Sequence, residues 1–286
     1  MKTKLTFLML VLGFISTAQT IVKYTIDSGG ASNTVGGIDI LYTIGEVNVQ
    51  ELIVGGIQVS HGFINPILLE IKLDSKLFLQ GAIQNPVTAG LMNDDLRVDG
   101  VIPTTSPYTD GLTCNLAVFN LTGSDAIVDW VWVELRDEVD NTIIIDSQSA
   151  LLQRDGDVVG VDGVSSVLFN QASGNYFLAI NHRNHLGVLS ATAIALAGTT
   201  TIDLSSDPLA VYGGSNAVKD MGSGIYAMYG GDVDDDGQIL NTDITTALLL
   251  TGTAGYSGAD SDLNGQVLNT DITLIIQVNA GKAQQY

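Results

Sequence analysis

Asp232-Val233-Asp234-Asp235-Asp236-Gly237-Gln238-Ile239-Leu240-Asn241-Thr242-Asp243 is followed 28 residues later by Asp260-Ser261-Asp262-Leu263-Asn264-Gly265-Gln266-Val267-Leu268-Asn269-Thr270-Asp271. Over the fourteen residues starting at Asp232 and at Asp260, ten positions are identical. Carboxylate or amide oxygens fall at positions 1, 3, 5 and 12 of each stretch, with Gly at position 6. Composition alone does not retain oxygen donors at the same offsets in a duplicated segment, so the repeat is read as a duplicated binding unit.

The spacing is that of an EF-hand calcium loop, with Asp in place of the usual Glu at position 12. Ca²⁺ is a hard cation that takes roughly 6–8 oxygen ligands. The curl of the loop brings alternate side chains together, and Gly at position 6 permits the sharp turn. The expected ligands are Asp232, Asp234, Asp236, Gln238 and Asp243 in the first loop, and Asp260, Asp262, Asn264, Gln266 and Asp271 in the second. Gln238 and Gln266 serve through their backbone carbonyls. Ile239 and Val267, apolar at position 8, are expected to zip the two loops together through a short β-bridge. Without metal the first loop crowds four carboxylates, each close pair costing about 1 kcal/mol in water and more at lower dielectric. Metal binding is therefore expected to supply folding free energy. Asn264 stands where the first loop has Asp236, so the second site is expected to be the weaker.

Ile244, Ala247 and Leu248 follow the first loop, and Ile272, Ile275 and Ile276 the second, at the spacing of one helical face. Two loop–helix units without an entering helix resemble a dockerin module, over residues 231–286. The resemblance implies a cohesin-like protein or another surface-assembly partner, met by the residues at loop positions 10 and 11: Asn241, Thr242, Asn269 and Thr270. Leu240 and Leu268 occupy position 9, where the family often carries a polar residue, so water would fill that coordination point.

The N-terminus reads as a secretory signal peptide over residues 1–18. Lys2 and Lys4 precede an apolar run from Leu5 to Ile15, and Ser16-Thr17-Ala18 supplies small residues at the cut. The expected location is extracellular or at the cell surface. The chain carries 31 acidic and 11 basic residues, a formal charge of −20; loss of Lys2 and Lys4 takes it to −22. Nucleic acid and anionic membranes are poor partners for such a surface, and cations are good ones. No apolar run after the signal is long enough to insert in a membrane. Cys114 is the single cysteine, so no intramolecular disulfide forms and core size or metal must stabilise an exported chain.

Between these ends the chain reads as mainly β. A small N-terminal β-rich domain is expected over residues 19–74, with Ile38, Ile40, Tyr42 and Ile44 on one strand face. Ile44-Gly45-Glu46-Val47 and the stretch from Ser60 to Pro66 resemble a short β-domain at the start of many secreted Bacteroidota surface proteins. An immunoglobulin-like β-sandwich is expected over 75–212, with strands at Leu77–Gly81, Cys114–Leu121, Ala126–Arg136, Thr142–Leu152, Ser166–Phe169, Tyr176–His182 and Ser190–Ala197. Tyr176 resembles the tyrosine corner of such sandwiches. A Gly/Ser-rich connector is expected over 213–230, then the calcium module over 231–286. The block around Leu77, Leu91, Asp129 and Asn181 resembles a domain of large secreted Bacteroidota proteins, which implies no particular activity.

Two further groups bear on function. Trp130 and Trp132 share a strand face that either lies under another layer or forms an aromatic platform for a polysaccharide. His182 and His185 would need a turn between them to share a metal, and a hydrogen-bonded loop is the expected arrangement. No nucleophile elbow, zincin motif or phosphate loop is present. The chain is therefore read as a secreted, non-catalytic surface or assembly protein with a calcium-dependent docking module. The alternatives are a polysaccharide-binding or polysaccharide-degrading component attached through that module, and a structural subunit in which calcium only rigidifies the C-terminal domain.

Overall fold

In the computed structural model the described residues are 29–35, 38–44, 50–54, 57–61 and 70–286. The signal peptide expected over 1–18 lies outside them. The chain forms two compact units, residues 1–67 and 68–286. In the first, β1 (Gly29–Val35) pairs antiparallel with β2 (Ile38–Ile44), and β3 (Gln50–Val54) with β4 (Ile57–His61). The second unit begins before residue 74, because β5 (Ile71–Lys76) belongs to its main sheet. Ile71 and Leu73 are fully buried there, which explains why the expected boundary at residue 74 falls inside a strand.

Further along come β6 (Phe78–Leu79), β7 (Ile127–Asp137), β8 (Ile144–Gln153), β9 (Asp157–Val159), β10 (Val167–Phe169), β11 (Gly174–His182), β12 (His185–Leu189), β13 (Ile194–Leu196) and β14 (Gly198–Asp203). The strands expected as a sandwich are hydrogen-bonded into one nine-stranded sheet. Its path is β10-β5-β9-β8-β7-β11-β12, with β13 beside β11 and β14 parallel to β5. Short β9 is the seam, pairing with β5 at Ser75–Val158 and with β8 at Leu151–Val159. β7 lies near the middle. From Ile127 to Val131 every residue is buried, although neighbours point to opposite faces, so both faces are covered there. Tyr176 donates its hydroxyl hydrogen to the Ala172 carbonyl at 2.8 Å, a bond of the tyrosine-corner kind.

Three expected strands differ, one of them, Ser190–Ala197, being extended only at Ile194–Leu196. Of Leu77–Gly81 only Phe78–Leu79 is extended, and Gln80–Ile83 turn into a short helix, α1. Residues 116–120 form a 3₁₀ helix capped by Asn115, whose side-chain oxygen accepts from the Ala117 amide; this local bond competes with strand pairing. Asp95–Val98 form a short helix, α2, whose Arg97 pairs back with the N-cap residue Asp94.

The segment 213–230 is not a plain connector. β15 (Val218–Gly222) and β16 (Ile225–Met228) form a hairpin that joins β6 in a three-stranded sheet. Val218, Ala227 and Met228 enter the main core. The Gly/Ser content marks turns at 213–214 and 222–224, where four glycines have positive φ.

Candidate functional site

After Gly230-Gly231 the chain forms the first acidic loop and then α3 (Asn241–Leu250); the second loop leads into a π-helical turn, Asp271–Ile276. The repeats share their hydrogen bonds nearly atom for atom. Asp232 accepts from the Asp236 and Gly237 amides at 3.1 Å each, and Asp260 from Asn264 and Gly265 at 3.0 and 2.8 Å. Asp243 accepts from Val233 and Leu240, both at 2.7 Å; Asp271 accepts from Ser261 and Leu268, also at 2.7 Å. Gly237 and Gly265 have φ of 82° and 81°, the left-handed turn expected of position 6. Asp235 and Leu263, both at position 4, are also left-handed, at 57° and 60°. Side chains rarely sit there, so the same strain is retained in both copies.

The loops do not zip to each other. Ile239 exchanges backbone bonds with Gly281 and Lys282, which follow the second repeat's helix, and Val267 with Gly252 and Thr253, which follow the first. Each position-8 residue thus pairs with the tail of the other repeat, and both are buried in one small core with Ala247, Ile272 and Ile276. Leu248 is exposed, because this core needs only the Ala247 side of α3.

Two carboxylate triads converge. Asp232, Asp234 and Asp236, and Asp260, Asp262 and Asp271, each bring one oxygen per residue within 4.8 Å of the others. Asp232, Asp243, Asp260 and Asp271 are each at most 1 % exposed. Among the described residues no salt bridge reaches any of them. Burying an unpaired carboxylate is costly. Burial, helped by Asp235 and Asp243, lifts the pKa of Asp232 to about 7; burial and Asp271 lift Asp260 to about 8 and Asp262 to about 6. The donor set is all oxygen and hard, so it fits Ca²⁺ or a similar divalent ion and offers nothing to a soft metal.

A pH dependence follows for the metal-free chain. An Asp whose folded pKa is raised binds a proton on folding, so its stability contribution is complete below about pH 4 and is lost as pH rises through the folded value. Buried His182 and His185, whose pKa values burial lowers, act oppositely but have finished by about pH 7. The Tm in chelator should therefore fall between about pH 7 and 9, and the calcium-induced rise in Tm should grow over the same span. A chelated Tm that is flat or rising there would contradict the loop burial.

The repeats are built into the sheet through a buried hub that the sequence reading missed. Asp129 on β7 is fully buried. It accepts from Tyr256 Oη at 2.6 Å, from Arg183 Nε at 3.0 Å and from His182 Nε2 at 3.1 Å. Burial alone would raise its pKa, but the Arg183 charge and the His182 bond hold the carboxyl far below the usual range. Arg183 stacks on the Tyr256 ring at 4.2 Å and donates to the Ser257 carbonyl. Asn184 donates to the carbonyls of Gly258 and Asp260 at 3.0 and 2.7 Å. The turn between β11 and β12 thus grips the entry to the second acidic loop. The two histidine rings do meet, 4.9 Å apart and edge to face. Gly81 N donates to His185 Nε2, His185 Nδ1 faces Asn184 Oδ1 and His182 Nε2 faces Asp129, so the ring nitrogens are occupied by hydrogen bonds. A Cβ on Gly81 would lie 2.0 Å from the Ser261 carbonyl; only glycine lets α1 approach the loop this closely.

Asn241, Thr242, Asn269 and Thr270 are all exposed. On the same two repeats Leu240, Leu248, Leu249, Leu268, Leu274 and Val278 are also exposed, Leu249 at 81 %. Trp130, by contrast, is fully buried with Nε1 donating to the Pro103 carbonyl at 2.9 Å, so it offers no face to a sugar. Trp132 is half-buried and borders a cleft.

No protein-family model matches the chain, and no curated protein matches it. Among solved structures it is similar to two type II cohesin–X–dockerin complexes of Acetivibrio cellulolyticus, one a C-terminal and the other an N-terminal interface mutant. Identity is 13 % in both, over 75 % of this chain and 97 % and 96 % of those chains, with TM-scores of 0.40 and 0.35.

Proposed function

We propose that the chain is a secreted, non-catalytic assembly protein whose C-terminal repeats bind two calcium ions and present a helical surface to a protein partner of the cohesin kind. The observation that carries the reading is the set of four buried carboxylates, two per repeat, placed at the ends of equivalent loops and without a salt bridge among the described residues. Calcium supplies the missing positive charge there. Asp232, Asp234, Asp236 and Asp243 would hold the first ion with the Gln238 carbonyl. Asp260, Asp262, Asn264 and Asp271 would hold the second with that of Gln266. The large apolar side chains left exposed on both repeats, with Leu248 and Leu249 on the helix that begins at Asn241-Thr242, support docking, since exposed large hydrophobics rimmed by polar residues mark interaction sites.

The packing of the repeats on the sheet favours a second, structural role: calcium stabilises residues 68–286 as one body. Titration of cohesin-type proteins into the mature chain separates the two. Docking predicts calcium-dependent binding that Leu249→Asp weakens by about tenfold or more without changing the Tm in calcium. No binding to any cohesin-type protein, with calcium still raising the Tm, leaves the structural role alone.

A further inference from the structure

An open cleft of about 700 Å³ lies between the main sheet and the first acidic loop. That volume is within the range of small-molecule sites, roughly 300–1,000 Å³. One wall carries the rings of Tyr108 and Trp132, with centroids 5.6 Å apart and planes inclined by 36°. The floor is a series of planar polar groups that hold one another in place. Glu134 accepts from Trp132 Nε1 at 2.9 Å and from Arg136 Nε at 2.7 Å. The Arg136 guanidinium lies 4.6 Å from the centre of the Tyr286 ring, and Tyr286 Oη donates to Asn181 Oδ1 at 2.7 Å. The opposite wall is Asp235, Asp236 and Gly237 of the acidic loop, tied down where Gln284 N donates to the Gly237 carbonyl at 2.8 Å.

We propose that this cleft binds a neutral oligosaccharide. An aromatic face beside fixed amide, carboxylate and guanidinium groups matches a sugar ring, which has an apolar C–H face and an edge of hydroxyls that donate and accept. The polar groups are already ordered by their internal bonds, so little side-chain entropy is lost on binding. Charge narrows the ligand. Glu134 is neutralised by Arg136 at 2.6 Å. The two loop aspartates and the net −20 of the chain repel polyanionic glycans. A basic peptide is the other class that an acidic, aromatic-lined cleft attracts, but the floor carboxylate, Glu134, is already paired with Arg136, which leaves only the loop wall to meet a cation. The loop wall adds a dependence on calcium, and that part rests on the calcium reading above.

The test is calorimetry on the mature chain with short neutral gluco-, manno-, xylo- and galacto-oligosaccharides, and with a lysine-rich peptide as the contrasting probe. Binding of at least one oligosaccharide is expected. Trp132→Ala should weaken it by about tenfold or more. Thr109→Trp, a change at an exposed residue on the rim, should block it while leaving the Tm unchanged. Failure of every oligosaccharide, binding of the peptide alone, or oligosaccharide binding indifferent to Thr109→Trp would overturn the proposal. If oligosaccharide affinity is equal in calcium and in chelator, the loop wall plays no part. A calcium titration of the same sample shows separately whether the ion binds at all.

Discussion

Asp129→Ala is expected to destabilise residues 68–286 by about 3–5 kcal/mol, the usual cost of removing one partner from a buried ion pair. For a unit of this size that lowers the Tm by roughly 6–20 °C, read by calorimetry in saturating calcium. The size of the effect comes from what is stranded. Arg183 keeps its charge at any accessible pH and loses its one ion-pair partner among the described residues, while His182 and Tyr256 lose their acceptor. Asp129→Asn keeps the shape and part of the hydrogen bonding but not the charge, and should cost less than Ala. The loss should also reach the second acidic loop, because Arg183 and Asn184 hold the backbone from Ser257 to Asp260. A change in Tm of only a degree or two would mean that the hub does not couple the repeats to the sheet.

Removing ligand carboxylates is the second large effect. At calcium concentrations about 100 times Kd, each site adds about 2.7 kcal/mol to stability. Chelation should therefore cost about 5 kcal/mol when both sites are filled. Asp232→Ala with Asp243→Ala should reduce total calcium affinity more than Asp260→Ala with Asp271→Ala, because the first loop carries Asp236 where the second carries Asn264. Stability in calcium should rank the other way. The second loop lies against Gly81 and is gripped by Asn184, so its loss loosens the seat of the repeats on the sheet. Calorimetric Kd values and melting curves of the two double variants test both rankings, and the opposite order in affinity would refute the charge argument.

The parts of this molecule that were legible in the sequence are those where local chemistry sets the geometry. Position 6 of each loop must turn left-handed, so Gly237 and Gly265 disclosed the loops. The apolar alternation of Ile127 to Leu135 disclosed β7, and Tyr176 its corner. What was hidden depends on contacts between distant segments. Ile239 and Val267 were expected to meet, but each instead finds the other repeat's tail, a choice set by how the helices pack. Residues 213–230 look like a linker because their glycines make turns, while β16, after the second turn, pairs with β6, which lies about 150 positions earlier: Ala227 against Phe78 and Met228 against Leu79. Trp130 and Trp132 are equivalent by period, and only the chain around Pro103 distinguishes them by covering one. The hub did leave a sign: Asp129 is the one charge in the apolar run from Ala126 to Val133, and a buried carboxylate there needs a partner. His182-Arg183 was available to answer it, but pairing residues more than fifty positions apart needed the fold.

The central claim is that the duplicated loops are paired calcium sites on which the stability of residues 68–286 depends. Calorimetric titration of calcium into the chelator-stripped mature chain tests it most directly, carried to about 10 mM to cover the weak range of extracellular modules. The account predicts two ions bound per chain, release of protons on binding at pH 7 and a higher Tm in the loaded protein. No calcium uptake up to that concentration, or uptake that leaves the Tm where it was, would contradict it.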